Sequence, residues 1–192
     1  MSDPIAIFAS KLVLTPKALA LRTTIFERQL RVAHALWPHT QLITVGSFRL
    51  QTALHRSNID GILSSPTGRY PSTADWAAEL NQANLAFTPR LYGPRMLART
   101  DARPTPAGPL VTLQYTFSSA REGEVPVALG FRDPAPAFGR DSWLRAQLRR
   151  TPGAADALVV LKALLARRGL ARTQDGGLGS YEIGRASCRE RV

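Results

Sequence analysis

Apolar residues recur at helical spacing from Leu19 through Ile25, Leu30, Val32 and Ala33 to Leu36, the rhythm of a helix with one buried face. Thr15 and Pro16 supply a hydroxyl cap and a first-turn proline, and Trp37 followed by Pro38 stops the run, so a helix ending at Leu36 is predicted. The apolar runs then shorten. Gln41 to Val45 reads as a strand, Phe48 to Leu54 as a short helix, and about Asn58 to Leu63 as a second strand. A turn-rich stretch from Ser64 to Pro71 leads to a helix capped by Ser72 with Asp75 three positions on, containing Trp76 and Leu80. Three further strands follow, Arg95 to Ala102, Leu110 to Phe117 and Val125 to Phe131, separated by a proline-rich loop from Arg103 to Pro109. Asp133 to Gly139 reads as another loop, and Asp141 to Arg150 as a helix. Thr151 and Pro152 repeat the cap-and-proline start and open a helix from Gly153 to Arg168, with Leu158, Leu161, Leu164 and Leu165 at helical spacing. This order predicts an α+β fold, a small mixed sheet packed by helices, with no internal repeat.

At 192 residues and 44% apolar content the chain is long and greasy enough for a real core. Its 25 lysines and arginines against 14 acidic residues leave a formal charge of +11. That favours a polyanionic partner, although an arginine-rich coding bias gives the same excess. No apolar run approaches the ~20 residues of a membrane span, and the N-terminus has no secretory layout. An intracellular protein is expected, with nucleus, cytoplasm and mitochondrion not distinguished.

The last eleven residues, Glu182 to Val192, look like translated sequencing-adapter read-through and are set aside from fold reasoning as a tag would be. They hold three basic and two acidic residues, so the remainder still carries +10. They also hold Cys188, the one cysteine. Without it there is no disulfide, no thiolate metal site and no cysteine nucleophile to consider. His34, His39 and His55 have no metal-ligand spacing. Trp37, Trp76 and Trp143 lie on or beside apolar helix faces, where packing is the expected role. Arg145, Arg149, Arg150, Arg167 and Arg168 suit either RNA phosphates or solvated helix faces.

Two short motifs carry the chemistry. After the first strand, Gly46 and Ser47 form a glycine-containing turn into a helix, where backbone N–H groups can approach an anion. At the second strand, Asn58 and Asp60 are two apart and share one face. Each alone is ordinary, and Gly-Ser marks many plain turns. In this order and spacing they resemble the signature of the DNA polymerase beta nucleotidyltransferase superfamily, Gly-Ser followed by Asp-x-Asp. The C-terminal part narrows the likeness to the RNA-tailing branch of poly(A) polymerase-like and terminal uridylyltransferase enzymes. It does so through Lys162 within an apolar helix and Gly176, Gly177, Ser180 and Tyr181 after it.

That resemblance implies a palm domain over residues 1–139, then the start of a helical substrate-binding domain over 140–181 that is cut off at Tyr181. It implies addition of AMP or UMP, from ATP or UTP, to an RNA 3′ end, with Mg2+ or Mn2+ as cofactor and no membrane role. Gly46, Ser47, Lys162, Ser180 and Tyr181 would bind the nucleotide. Two metal ions would be held by three carboxylates, of which this chain keeps Asp60. Asn58 stands at the first position with a neutral carbonyl oxygen, and the strand alignment places Ala128 at the third. A carboxylate ~4 Å from a doubly charged ion gains about 8 kcal/mol of gross Coulomb energy at an effective dielectric of about 20. Two such losses should cripple the chemistry unless Glu122, Glu124 or Asp101 substitutes. The expectation is therefore a degenerate RNA nucleotidyltransferase, or a non-catalytic RNA-binding or scaffold subunit derived from one.

Overall fold

The computed structural model describes residues 3–67, 78, 79, 82, 96–104, 111–119, 123–131, 133–171 and 178–189. Of the helix expected after Ser72, Ser72, Trp76 and Leu80 lie outside the described residues, as do Glu122, Gly176 and Gly177. Residues 16–44 and 56–134 form one compact unit, and residues 1–15, 45–55 and 135–192 form the other. The chain crosses between the units at residues 15/16, 44/45, 55/56 and 134/135, so that residues 1–15 and 45–55 group with the C-terminal helices.

The first unit is a sheet with one long helix. Helix α2 runs Pro16–Leu36 and strand β1 runs Gln41–Val45, both at their sequence-predicted limits. Strands β2 (Ile59–Ser64), β3 (Met96–Pro104), β4 (Val111–Ser119) and β5 (Gly123–Phe131) complete a five-stranded sheet in the order β1-β2-β5-β4-β3. β3, β4 and β5 pair antiparallel, with a register shift between Arg99 and Arg103, whereas β2 lies parallel to β5. This is the mixed sheet the strand pattern predicts. Ile59, Ile62, Leu63, Val125, Val127 and Leu129 are buried, each contributing about 1.5–3 kcal/mol through its apolar surface. Gly61 is where the sheet is tightest: a Cβ there would lie 2.9 Å from Leu129 Cδ2 and 3.2 Å from Leu42 Cδ1, with Phe26 of α2 at 3.5 Å.

The second unit is helical. Helix α1, Pro4–Ser10, was not expected from the apolar patch it contains. Its start is nevertheless a proper cap, since the Asp3 side chain accepts from Ile5 N at 2.9 Å and Pro4 occupies the first turn. Helix α3 spans only Gly46–Arg49, not Phe48 to Leu54, and Gln51 beyond it sits at φ 59. Helix α4 spans Ala135–Arg150 and starts six residues before Asp141. The prolines that suggested a loop there fit a helix start instead, because Pro136 in the first turn sacrifices no intrahelical bond. Helix α5 spans Ala154–Arg167, after Gly153 at φ 75, with no side-chain cap from Thr151 or any other residue.

Helix α6, Ser180–Arg189, takes in most of the segment set aside as a tag. Tyr181, Gly184 and Cys188 fall at i, i+3 and i+7 and so share one face. Cys188 joins Leu144 and Ala154 in a buried cluster with Tyr181 packed against it, and a Cβ on Gly184 would meet Leu144 at 2.8 Å. On α5 the buried face differs from the leucine pattern. Leu158, Val159 and Lys162 are buried while Leu161 and Leu164 are exposed.

Candidate nucleotide site

The expected metal ligands belong to the sheet unit. Asp60 is the second residue of β2, and Asn58 precedes the strand by one position. Parallel pairing puts Ala128 of β5 directly beside Asp60. On its other side Ala128 pairs with Gln114 of β4. The register fixes what could replace the missing carboxylate. Glu124 is four residues from Ala128 along β5, about 13 Å at strand rise. Asp101 lies on β3, three strand spacings or about 14 Å from β2. Neither position pairs with Asp60 in the sheet. Among the described residues, no three histidine, cysteine, aspartate or glutamate side chains gather as metal ligands would. Two hard divalent cations need several oxygen ligands and compensating charge. One carboxylate, one amide and a methyl group do not fit them.

The expected nucleotide-contacting residues belong to the helical unit, and there the residue types are intact. Gly46 adopts φ 68, a left-handed conformation that suits glycine, and leads into α3 with Ser47 buried behind it. The Gly46 N–H does not face an open cradle. It donates to Asp141 Oδ2 at 2.8 Å, and Asp141 is itself buried within α4. Such a short bond to a carboxylate is of the stronger, charge-assisted kind. Lys162 follows the same pattern. Only 5% of its surface is exposed, and its Nζ donates to the backbone oxygen of Thr52 at 2.8 Å. An ammonium taken this far from water needs such a partner, because desolvating it costs several kcal/mol. Ser180 opens α6. The Tyr181 ring meets Trp143 edge-on at 5.9 Å between centroids, and the Arg140 guanidinium carbon lies 5.9 Å from the ring centre.

Sequence reasoning missed two residues that shape this unit. Asp141 was placed at a helix start, where an aspartate is an ordinary cap, and only the earlier start of α4 turns it inward. Thr52 attracted no attention, yet its carbonyl holds Lys162 and its N–H donates to Ser47 O at 2.9 Å. Its signal is faint: a polar residue within Phe48 to Leu54, the segment that reads as a short helix.

No family model and no curated protein sequence matches the chain. Solved structures do. The polymerase core of TRAMP, an RNA surveillance complex, superposes over 94% of this chain with a TM-score of 0.74 at 20% identity. The Cid1 poly(U) polymerase, in an H336N mutant bound to MgATP, does so over 94% with a TM-score of 0.71 at 14% identity. A cytoplasmic RNA terminal U-transferase gives 0.67 at 14% identity over the same share. The fold is therefore the nucleotidyltransferase palm with attached helices found in poly(A) and poly(U) polymerases. The chain spans about half the length of these structures, 51%, 52% and 50% respectively.

Proposed function

We propose that this chain is an RNA 3′-terminal nucleotidyltransferase-like protein that has lost metal-dependent nucleotidyl transfer. The observation that carries the reading is the register of β2 on β5, which sets a methyl group beside the one remaining carboxylate of the expected metal site, Ala128 against Asp60. Support for the polymerase-like half comes from the shared fold and from the order of Gly46, Ser47, Asp60, Lys162, Ser180 and Tyr181 along the chain. The structural neighbours are described as bound to MgATP, to a UTP analogue and to an ApU product. On that likeness the ligands of this chain are ATP or UTP and an RNA 3′ end, with Mg2+ or Mn2+ no longer required.

A second reading, a non-catalytic RNA-binding subunit derived from such an enzyme, is favoured by a separate observation. The Gly46 N–H and the Lys162 ammonium already have protein partners. Calorimetric titration of the chain with ATP and with UTP, in magnesium and in chelator, tests the loss of metal dependence. The affinities are expected to agree within about twofold, with no extension of a labelled RNA primer in either metal. Binding at least tenfold tighter in magnesium, or steady primer extension, would overturn the proposal.

A further inference from the structure

Within the helical unit a cavity of about 430 Å³ is walled by Arg49, Arg145 and Arg149, by Thr52, and by Asp156 in the first turn of α5. Val13, Leu50, Leu148 and Val159 form its apolar sides. Three guanidinium groups against one carboxylate leave the polar wall with a net charge of +2. Two wall residues hold polar atoms that are buried and have no hydrogen-bond partner, Arg49 Nη1 and Thr52 Oγ1. Thr52 is only 4% exposed, and its backbone N–H and carbonyl are both engaged, so the hydroxyl alone is left over. A buried, unpaired polar atom costs about 1–3 kcal/mol. Both atoms are closed to solvent as the side chains stand, so a ligand in the cavity would reach the hydroxyl after a turn about the Thr52 Cα–Cβ bond.

Two of the three arginines are held in position. The Arg49 guanidinium lies over the Phe138 ring, 4.2 Å from its centre, and Arg145 Nη2 donates to the Arg49 backbone oxygen at 2.8 Å. The N-terminus of α5 adds to the same wall. Ala155 and Asp156 line it, and Gly153 gives the helix no side-chain cap, leaving first-turn N–H groups and the positive end of the helix dipole there. Guanidinium forks, a hydroxyl donor and a helix start are the groups that recognise tetrahedral oxyanions.

From this geometry we infer that the cavity binds a phosphate dianion, carried by a small phosphate monoester whose organic part rests on the apolar walls. The charge balance selects a dianion, and the volume lies within the range of small-molecule sites. The inference does not rest on the polymerase-like reading, because none of Gly46, Asp60, Lys162, Ser180 or Tyr181 lines this cavity.

The test titrates the full chain, at fixed ionic strength, with inorganic phosphate, ribose 5-phosphate and ribose, followed by calorimetry. Saturable binding of phosphate and ribose 5-phosphate but not ribose is expected, with the tighter of the first two identifying the source of the phosphate group. Arg149→Gln, at an exposed position that should not disturb folding, is expected to weaken binding about tenfold, the worth of one charge-assisted hydrogen bond. Thr52→Val keeps the shape of the side chain and should weaken it several-fold. Thermal unfolding of each variant without ligand confirms that it folds. No binding of either phosphate, binding of ribose as tight as that of its phosphate, or affinities unmoved in a folded Arg149→Gln protein would each overturn the inference.

Discussion

The two units carry opposite kinds of change from the pattern that the sequence resembles. In the sheet unit the backbone frame is intact and, of the three carboxylates that the resemblance implies, Asp60 alone is present. β2 and β5 pair in parallel and bring position 128 beside Asp60, yet the residue delivered there is an alanine. In the helical unit the groups are present, and two of them already have partners. The Gly46 N–H goes to Asp141, and the Lys162 ammonium goes to Thr52. A strand can lose a carboxylate without loss of the sheet, because the ladder is made by backbone groups and a methyl packs as well as a carboxylate desolvates badly. A buried lysine has no such freedom. Once it is taken from water it must find an acceptor inside the protein.

The largest effect should come from refilling the sheet unit. Asn58→Asp together with Ala128→Asp restores two carboxylates at and beside the strand that holds Asp60. Net of desolvation these are worth about 3 kcal/mol toward a bound metal–nucleotide pair, or on the order of 100-fold in affinity. Calorimetry with ATP in magnesium and in chelator checks this. If the doubly substituted chain stays insensitive to metal, more separates this sheet from a metal site than two side chains, and the contrast between the units fails.

Lys162→Ala probes the other half. Removal of the ammonium leaves the Thr52 carbonyl without this buried donor and opens space along α5, for an expected loss of about 2–3 kcal/mol in a urea unfolding experiment. Nucleotide affinity should move by less than about twofold. The reverse result, unchanged stability with a tenfold loss of affinity, would show that this lysine serves a ligand after all.

The legibility of the chain follows the same division. α2 and β1 could be read to the residue, because a proline-marked start and a Trp-Pro stop bracket a periodic pattern. That Ala128 would matter comes from the resemblance and not from any strand pattern, and the structure adds that it pairs with Asp60. What escaped the sequence was which way the helices face. α5 carries leucines on one side and a lysine on another, and hydropathy alone buries the leucines. The fold instead buries Lys162 with Leu158 and leaves Leu161 and Leu164 exposed. The acceptor of Lys162 is a carbonyl 110 residues away, and no local pattern encodes it. The start of α4 was missed for a related reason: proline and glycine weigh as loop signals until the first turn of a helix is known to tolerate proline. That six-residue error hid Asp141.

Asp141 offers the finest test, because one atom separates the alternatives. Asn at this position keeps an oxygen that accepts from the Gly46 N–H and removes the negative charge. The bond becomes a neutral one, at a cost of about 1 kcal/mol in stability. A triphosphate approaching Gly46 would no longer face a carboxylate. At a separation of about 5 Å, even with the dielectric of water, that repulsion is about 1 kcal/mol for each phosphate charge, which corresponds to roughly fivefold in affinity. Asp141→Asn should therefore bind ATP and UTP about fivefold more tightly while melting slightly earlier. A nucleotide that used Gly46 would register the change, whereas one bound elsewhere would not. Equal affinities for the two proteins would thus place the nucleotide away from Gly46, and Asp141 would then be a purely structural partner of the turn after β1.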